Sequence, residues 1–338
     1  MDFIDILREK VKKERKRIVL PEGLDEKIII SVSKLIKADI LDLILIGDEE
    51  KIKAKALELN VNIDKAKIVN PYKFENINYY IESLYNLRKH KGMTIEDASK
   101  LIYDEIYFGT MMVKLDDADG LVAGISHLTS EVLKPALKLI KTTPYKRLVS
   151  SFIVMLVPDC EYGEDGVLFF ADCAVVQNPD SEQLATIAID TALSAESIFD
   201  IKPKVALLSY TTKSNLEIET VTKIRTALEL VKERKPNLLI DGELQLDAAL
   251  DKDVAKKKAP NSDVAGNANV LIFPNLEAGN IGYKLVERLG KATSIGPICQ
   301  GFDKPVNDLS RGASINDIIL TVIVTAIQAQ FVGDKRYL

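Results

Sequence analysis

The sequence predicts an α/β protein of two domains, on three observations. Short β-branched apolar runs alternate with longer stretches whose apolar residues recur at helical spacing, the pattern of mainly parallel sheets covered by helices. The 338 residues exceed what one hydrophobic core ordinarily holds. Around Thr142-Thr-Pro144 the alternation pauses, and it then resumes.

In order along the chain, Asp2 is expected to cap a first helix with Phe3, Leu7 and Val11 on one face. Residues 17–20 read as a short buried strand that Pro21 and Gly23 end. A helix over 26–36, a strand over 41–47 and a helix over 48–59 follow. Residues 67–70 give another strand, and helices over 77–90 and 94–107 flank Lys91-Gly-Met-Thr94. Asp119-Gly-Leu-Val-Ala-Gly124 reads as a strand running into a glycine-ended turn, where open α/β sheets take their ligands. The next helix spans 129–140. A boundary near residue 146 opens the second region, with strands at 151–157, 167–175, 204–208, 238–241 and 269–273. Its helices lie at 181–198, 216–235 and 279–289. No repeat of roughly 20–50 residues and no low-complexity tract is present. The tail 333–338 is polar and expected to fray.

Apolar residues make up 47% and charged residues 28%, an ordinary globular balance. The net charge of −5 comes from interspersed signs, which excludes a basic face for nucleic acid. An anionic substrate must then be held by local charge. Three scattered cysteines, Cys160, Cys173 and Cys299, argue for a reducing compartment and against a disulfide framework. With only His90 and His127 and no Cys-x-x-Cys pair, no metal is expected. The N-terminus is amphipathic and acidic, without the basic start and apolar core of a signal peptide. The apolar run 318–327 is about half a membrane span, so it reads as a buried helix. A cytoplasmic protein with no membrane partner is expected.

The richest stretch runs from Ile295 to Asp317. Gly296, Pro297, Gly301, Pro305 and Gly312 mark it as ordered loop, neither sheet nor helix interior. Ser314 precedes the apolar helix 318–331 and reads as its N-cap. Ser310 and Arg311 then sit just outside a helix N-terminus, a place that favours phosphate. Arg311 is either a forked anion grip or a surface ion-pair partner. Asp317 is either a general base or the acid of a Ser-x-x-Asp capping box. The Gly-x-x-x-x-Gly-Lys-[Ser/Thr] and Gly-x-Gly-x-x-Gly fingerprints are absent, which weakens ATPase and dinucleotide-binding readings. A Cys160–His127 dyad has no local support, and Cys160 reads as a small buried residue.

This stretch, Gly296-Pro-Ile-Cys-Gln-Gly301 followed by Lys304-Pro-Val-Asn-Asp-Leu-Ser-Arg-Gly312, resembles the signature of phosphate acetyltransferases (phosphotransacetylases) of the phosphate acetyl/butyryltransferase family. Further matches are Val157-Pro-Asp-Cys-Glu-Tyr-Gly163, Phe170-Ala-Asp-Cys-Ala-Val175, Asp241-Gly-Glu-Leu-Gln-Leu-Asp-Ala-Ala249, Lys256-Lys-Lys-Ala-Pro260, Asn269-Val-Leu-Ile-Phe-Pro274 and Ala278-Gly-Asn-Ile-Gly-Tyr-Lys284. They run collinearly through most of the chain.

The resemblance implies two α/β/α domains with an interdomain cleft, as in isocitrate and isopropylmalate dehydrogenases. Domain I would be discontinuous, 1–146 plus 296–338, and domain II would be 147–295. The implied reaction is acetyl-CoA plus phosphate giving acetyl phosphate plus CoA, with CoA as substrate, no permanently bound cofactor and a homodimeric enzyme. The implied site has Asp317 as base for the CoA thiol, Ser310 as oxyanion donor and Arg311 as phosphate grip. Arg88, in the basic segment Leu87-Arg-Lys-His-Lys-Gly92, with Lys134 and Thr129, would contact phosphate or CoA, and Cys160 would lie near the site. The chain departs from the pattern in two places. Ala123-Gly-Ile125 stands where members commonly have Ser-Gly-Ala, and Lys134 stands where they have arginine, losing the bidentate fork. Ser310 has no local histidine to activate it, so direct transfer in a ternary complex is expected. The alternatives are a phosphate butyryltransferase, a malic-enzyme C-terminal region, which would need a preceding segment, and a non-catalytic acyl-CoA or acetyl-phosphate sensor.

Overall fold

The computed structural model of the chain describes residues 3–142 and 148–333. The cap expected at Asp2, the boundary expected near 146 and the tail beyond Gly333 fall outside those residues. The elements, in order, are α1 Phe3–Val11, β1 Arg17–Leu20, α2 Glu26–Ala38, β2 Asp42–Ile46, α3 Glu49–Glu58, β3 Lys67–Val69, α4 Ile77–Arg88, α5 Ile95–Leu101, α6 Glu105–Lys114, β4 Gly120–Ala123 and α7 Thr129–Leu139. There follow β5 Ser150–Leu156, β6 Val167–Ala171, α8 Ser181–Phe199, β7 Lys204–Leu208, α9 Glu219–Arg234, β8 Leu239–Leu244, α10 Leu246–Leu250, α11 Lys252–Lys258, β9 Val270–Ile272, α12 Leu276–Leu289, β10 Thr293–Gln300, β11 Val306–Asp308 and α13 Ile315–Gln330. They gather into two compact units, residues 3–142 with 302–333, and residues 148–301.

The first unit is an all-parallel sheet in the order β11-β4-β1-β2-β3. Its strands are short and apolar because helices cover them, and its helices start on acids. Asp25 accepts from the backbone of Lys27 and Ile28, and Asp104 from that of Ile106 and Tyr107. Asp39 closes α2 in the left-handed conformation at φ 51°. Arg17 grips Asp119 with two side-chain hydrogen bonds and its own backbone N–H, tying the start of β1 to that of β4. The central helix α13 is apolar nearly all round. Of its two threonines, Thr325 is tolerated because its hydroxyl finds partners: it donates to the Thr321 carbonyl at 2.7 Å and accepts from Asn307 of β11.

The second unit is a mixed sheet in the order β10-β5-β6-β9-β7-β8, with β5 antiparallel to both neighbours and the rest parallel. Buried Asp172 accepts from the backbone of Ser151, Ala174, Val175 and Val176. Buried Gln300 reaches Ser150 and Thr191, fastening β10 to β5 and α8. Several resemblance motifs thus serve the fold. In Asp241-Gly-Glu243, Asp241 pairs with Lys213 and Glu243 with Arg225. Burial alone would raise the Glu243 carboxyl, but Arg225 and the Ser214 N–H bring it down to about 2.

Two sequence expectations are corrected. The stretch from Ile295 is not all loop, because Thr293–Gln300 is an edge strand and Val306–Asp308 another. Gly296 and Pro297 sit where the β10–β5 register shifts, at a sheet edge that tolerates a residue without an N–H. The helix expected over 94–107 is two helices, since Asp104 caps a second one that continues to Lys114. β10 pairs with β5, so residues 296–301 belong with the second unit.

Candidate active site

The carboxyl ends of three adjacent strands of the first sheet, β1, β4 and β11, bring the relevant residues together. After β1 comes Glu22, whose buried carboxylate accepts from the backbone N–H groups of Gly124 (2.9 Å), Ile125 (3.1 Å) and Ser126 (2.7 Å). Its Oε1 also lies 2.8 Å from His127 Nδ1. The turn after β4, expected to take a ligand, therefore has these amides already bonded to a carboxylate of its own chain. Beside it, exposed Ser126 has its hydroxyl 3.4 Å from Asp25 Oδ2, and the chain leads on to the start of α7.

After β11 comes the 308–317 segment. Asp308 is buried and its Oδ2 lies 2.6 Å from the hydroxyl of Thr129, the first residue of α7. Ser310 and Arg311 are exposed. The Ser310 hydroxyl accepts from Gly312 N at 3.3 Å, the bond of a tight turn. Arg311 has no hydrogen bond or ion pair among the described residues, so the surface ion-pair alternative is not what the fold uses it for. Ser314 caps α13 as expected, and Asp317 completes the capping box: Asp317 Oδ2 accepts from Ser314 N at 2.7 Å and Asp317 N donates to Ser314 Oγ at 3.2 Å. Among the described residues Asp317 Oδ1 is unengaged.

Arg88, at the end of α4, and Lys134, on α7, likewise make no ion pair among the described residues. Both act on the Tyr107 phenol of α6, which Lys138 also approaches at 3.4 Å. Burial raises the Tyr107 pKa, the Lys134 and Arg88 charges oppose this, and Asp104 adds to it. Cys160 is a partly buried residue of the second unit, in the segment between β5 and β6.

Sequence reading missed Glu22, Glu105, Asp308 and Tyr107. Only Asp308 lay inside a quoted motif; the others come from distant positions that the sheet brings to one edge. Burial pushes the Glu105 carboxyl up to about 7; the His127 charge opposes this, while Glu22 and Asp104 add to it. Partial burial lowers the His127 pKa, but the hydrogen bond to Glu22 and the surrounding acids raise it on balance. Burial pushes Asp308 up to about 6, the Thr129 bond opposing and Glu22 adding. Each of these groups binds protons more tightly folded than unfolded, so each contributes stability at low pH that is lost as pH rises through its folded pKa. The melting temperature is therefore expected to fall between pH 5 and 7.5. Asp308→Asn should flatten part of that fall, by about 1.4 kcal/mol, since a carboxyl moved from 3.8 to about 6 has roughly one pH unit of its linkage left above pH 5. Thermal melts of both proteins across that range check it.

Among the described residues no group of three or more His, Cys, Asp or Glu is placed to hold a metal ion, and no helix is long and apolar enough to cross a membrane. The family model described as Phosphate acetyl/butaryl transferase matches residues 2–326. The chain belongs to this family. It is 52% identical over 330 residues to a phosphate acetyltransferase of Clostridium acetobutylicum, covering 98% of this chain and 99% of that one. A phosphate acetyltransferase of Thermoanaerobacterium thermosaccharolyticum is 51% identical, with 98% and 100% covered. The crystal structure of a phosphotransacetylase from Streptococcus pyogenes superposes with a TM-score of 0.91 at 41% identity, over 97% of this chain and 98% of that one.

Proposed function

We propose that the protein catalyses reversible transfer of an acetyl group between CoA and inorganic phosphate, acetyl-CoA plus phosphate giving acetyl phosphate plus CoA. The observation that carries this reading is the set of cations in the first unit, Arg88, Lys134 and Arg311, which the fold leaves without an ion-pair partner among the described residues. In a protein of net charge −5 these unpaired charges are available to an anionic substrate. Membership of the family and identities near one half to phosphate acetyltransferases support the acetyl assignment.

The residues divide the chemistry as follows. A CoA thiol is mostly protonated at neutral pH, its ordinary pKa being about 8.5. Asp317, through the oxygen its capping box leaves free, takes the thiol proton as the sulfur attacks the acetyl carbonyl. The Ser310 hydroxyl donates to the oxyanion of the tetrahedral intermediate. Arg311 holds the departing phosphate, and Arg88, Thr129 and Lys134 hold further phosphate oxygens of the substrates. CoA enters as a substrate, and transfer is direct: mass spectrometry of enzyme quenched with acetyl phosphate should find no acetyl adduct on Ser310 or Cys160.

The deciding assay is phosphate-dependent release of CoA from acetyl-CoA, with butyryl-CoA in parallel. Fast release with stoichiometric acetyl phosphate is expected. A preference for butyryl-CoA would move the acyl specificity, and CoA binding without turnover would replace the enzyme by a sensor. A cytoplasmic homodimer belongs to the same proposal. On α12 the apolar Ile281, Leu285 and Leu289 are exposed in one stripe, as a surface covered by a second copy would be. Light scattering should give twice 37.5 kDa.

A further inference from the structure

Asp308 is given no part in the acetyl-transfer chemistry above, yet it touches a residue that is. It ends β11 with 3% of its surface exposed. Its Oδ1 is pressed so close to Gly124 that a β-carbon there would lie 2.3 Å away, and it has no hydrogen-bond partner among the described residues. Its Oδ2 lies 2.6 Å from Thr129 Oγ1. The charged group whose field reaches it is Glu22, itself bonded to His127. β4 faces it with the backbone of Ala123, the turn after β4 with that of Gly124, and α7 with the uncharged Thr129.

A hydroxyl has one proton, so the bond between Asp308 and Thr129 runs in one of two directions. When Asp308 is ionised, Thr129 donates to it and turns only lone pairs outward. When Asp308 is protonated, it donates to Thr129, whose own O–H is then free for another acceptor. Thr129 is exposed and opens an 11-residue helix; Glu131 of its first turn accepts from Leu128 N, and the N–H groups of Thr129 and Ser130, which have no partner among the described residues, with the helix dipole favour an anion. A hydroxyl that shows that anion a lone pair works against the site, and one that shows it a proton completes it.

We propose that Asp308 is a positioning residue that sets the donor direction of Thr129, so that a phosphate oxygen bound at the start of α7 is taken up together with one proton at Asp308. The proton comes from solvent when the anion binds and returns to solvent when it leaves. The inference rests on the acyl-transfer reading in taking inorganic phosphate as the anion. A buried, half-unpaired carboxylate beside Glu22 makes the proton easy to accept, and its elevated pKa of about 6 places the linkage in an accessible range.

Asp308→Asn is the direct test, because the asparagine amide donates to Thr129 at every pH. The KM for inorganic phosphate is measured for wild type and variant from pH 5.5 to 8, and the wild-type to variant ratio cancels the titration of phosphate itself. The ratio should be near one at pH 5.5 and grow by about tenfold or more by pH 8, since each pH unit above the pKa costs a factor of ten. Thr129→Ser should keep the wild-type profile, and Thr129→Val should raise KM most at low pH. A flat ratio overturns the proposal. So does an unchanged KM in Thr129→Val, and in that case wild-type turnover with acetyl-CoA and phosphate still stands as evidence for the reaction. Absence of that turnover sinks the functional reading instead. If Asp308→Asn does not fold, the Thr129→Val to wild-type ratio carries the test alone: it must shrink as pH rises, and a constant ratio refutes the coupling.

Discussion

Asp317→Asn is expected to lower kcat by about 10²–10⁴-fold, the range for losing a positioned general base, with a much smaller effect on the KM for phosphate. The structure makes this a demanding prediction, since Oδ2 of Asp317 already serves the helix through its bond to Ser314 N. An amide carbonyl at the same place keeps that bond, so the substitution removes the basicity and leaves the cap largely intact. Ser314→Ala is the matched control. It deletes the capping hydroxyl, costs about 1 kcal/mol of stability, and leaves the carboxylate present. Initial rates and thermal melts on both variants separate the roles. A variant at 317 that melts lower and turns over normally would make the acid a cap and nothing more.

Arg311→Lys is expected to raise the KM for phosphate by roughly ten- to a hundredfold, the equivalent of about 1.5–3 kcal/mol for a charge-assisted hydrogen bond broken or misaligned. The melting temperature should stay where it is, because Arg311 has no partner among the described residues whose loss would be felt in the folded protein. Steady-state kinetics in phosphate, with a melt of the same sample, read both. A drop in stability with KM unchanged would return Arg311 to the surface ion-pair role that the sequence left open.

Much of this architecture was legible in the residues. Runs such as Ile18-Val-Leu20 and Leu43-Ile-Leu-Ile46 have the continuous apolarity of strands covered on both faces, and they are strands. Ser314 and Asp317 sit three apart before an apolar run and form the box that this spacing describes. What could not be read were the places where tertiary context overrides a local signal. Gly296 and Pro297 look like breakers but lie in an edge strand, where a missing N–H costs no ladder bond. Glu22 and Gly124 are 102 positions apart, and nothing in either neighbourhood announces that one caps the other's amides. Parallel strands put distant segments side by side at one edge, so the site's supporting carboxyls are visible only once strand order is known.

The first unit takes its edge strand β11 and its central helix α13 from residues that follow the whole of the second. Gln330 of α13 donates to the carbonyls of Val11 and Glu14, while Lys27 and Ser31 of α2 donate to those of Ala313 and Ile315. On the ribosome this means that the opening 142 residues wait for their keystone. At translation rates of roughly 5–20 residues per second the delay is on the order of ten to forty seconds, with the apolar bed of α13 uncovered throughout. The second unit, contiguous in the chain, is free to fold during that time. Ser310, Arg311 and Asp317 arrive on the same closing segment, so the nascent chain gains the groups proposed for the chemistry only as its last packing step is made.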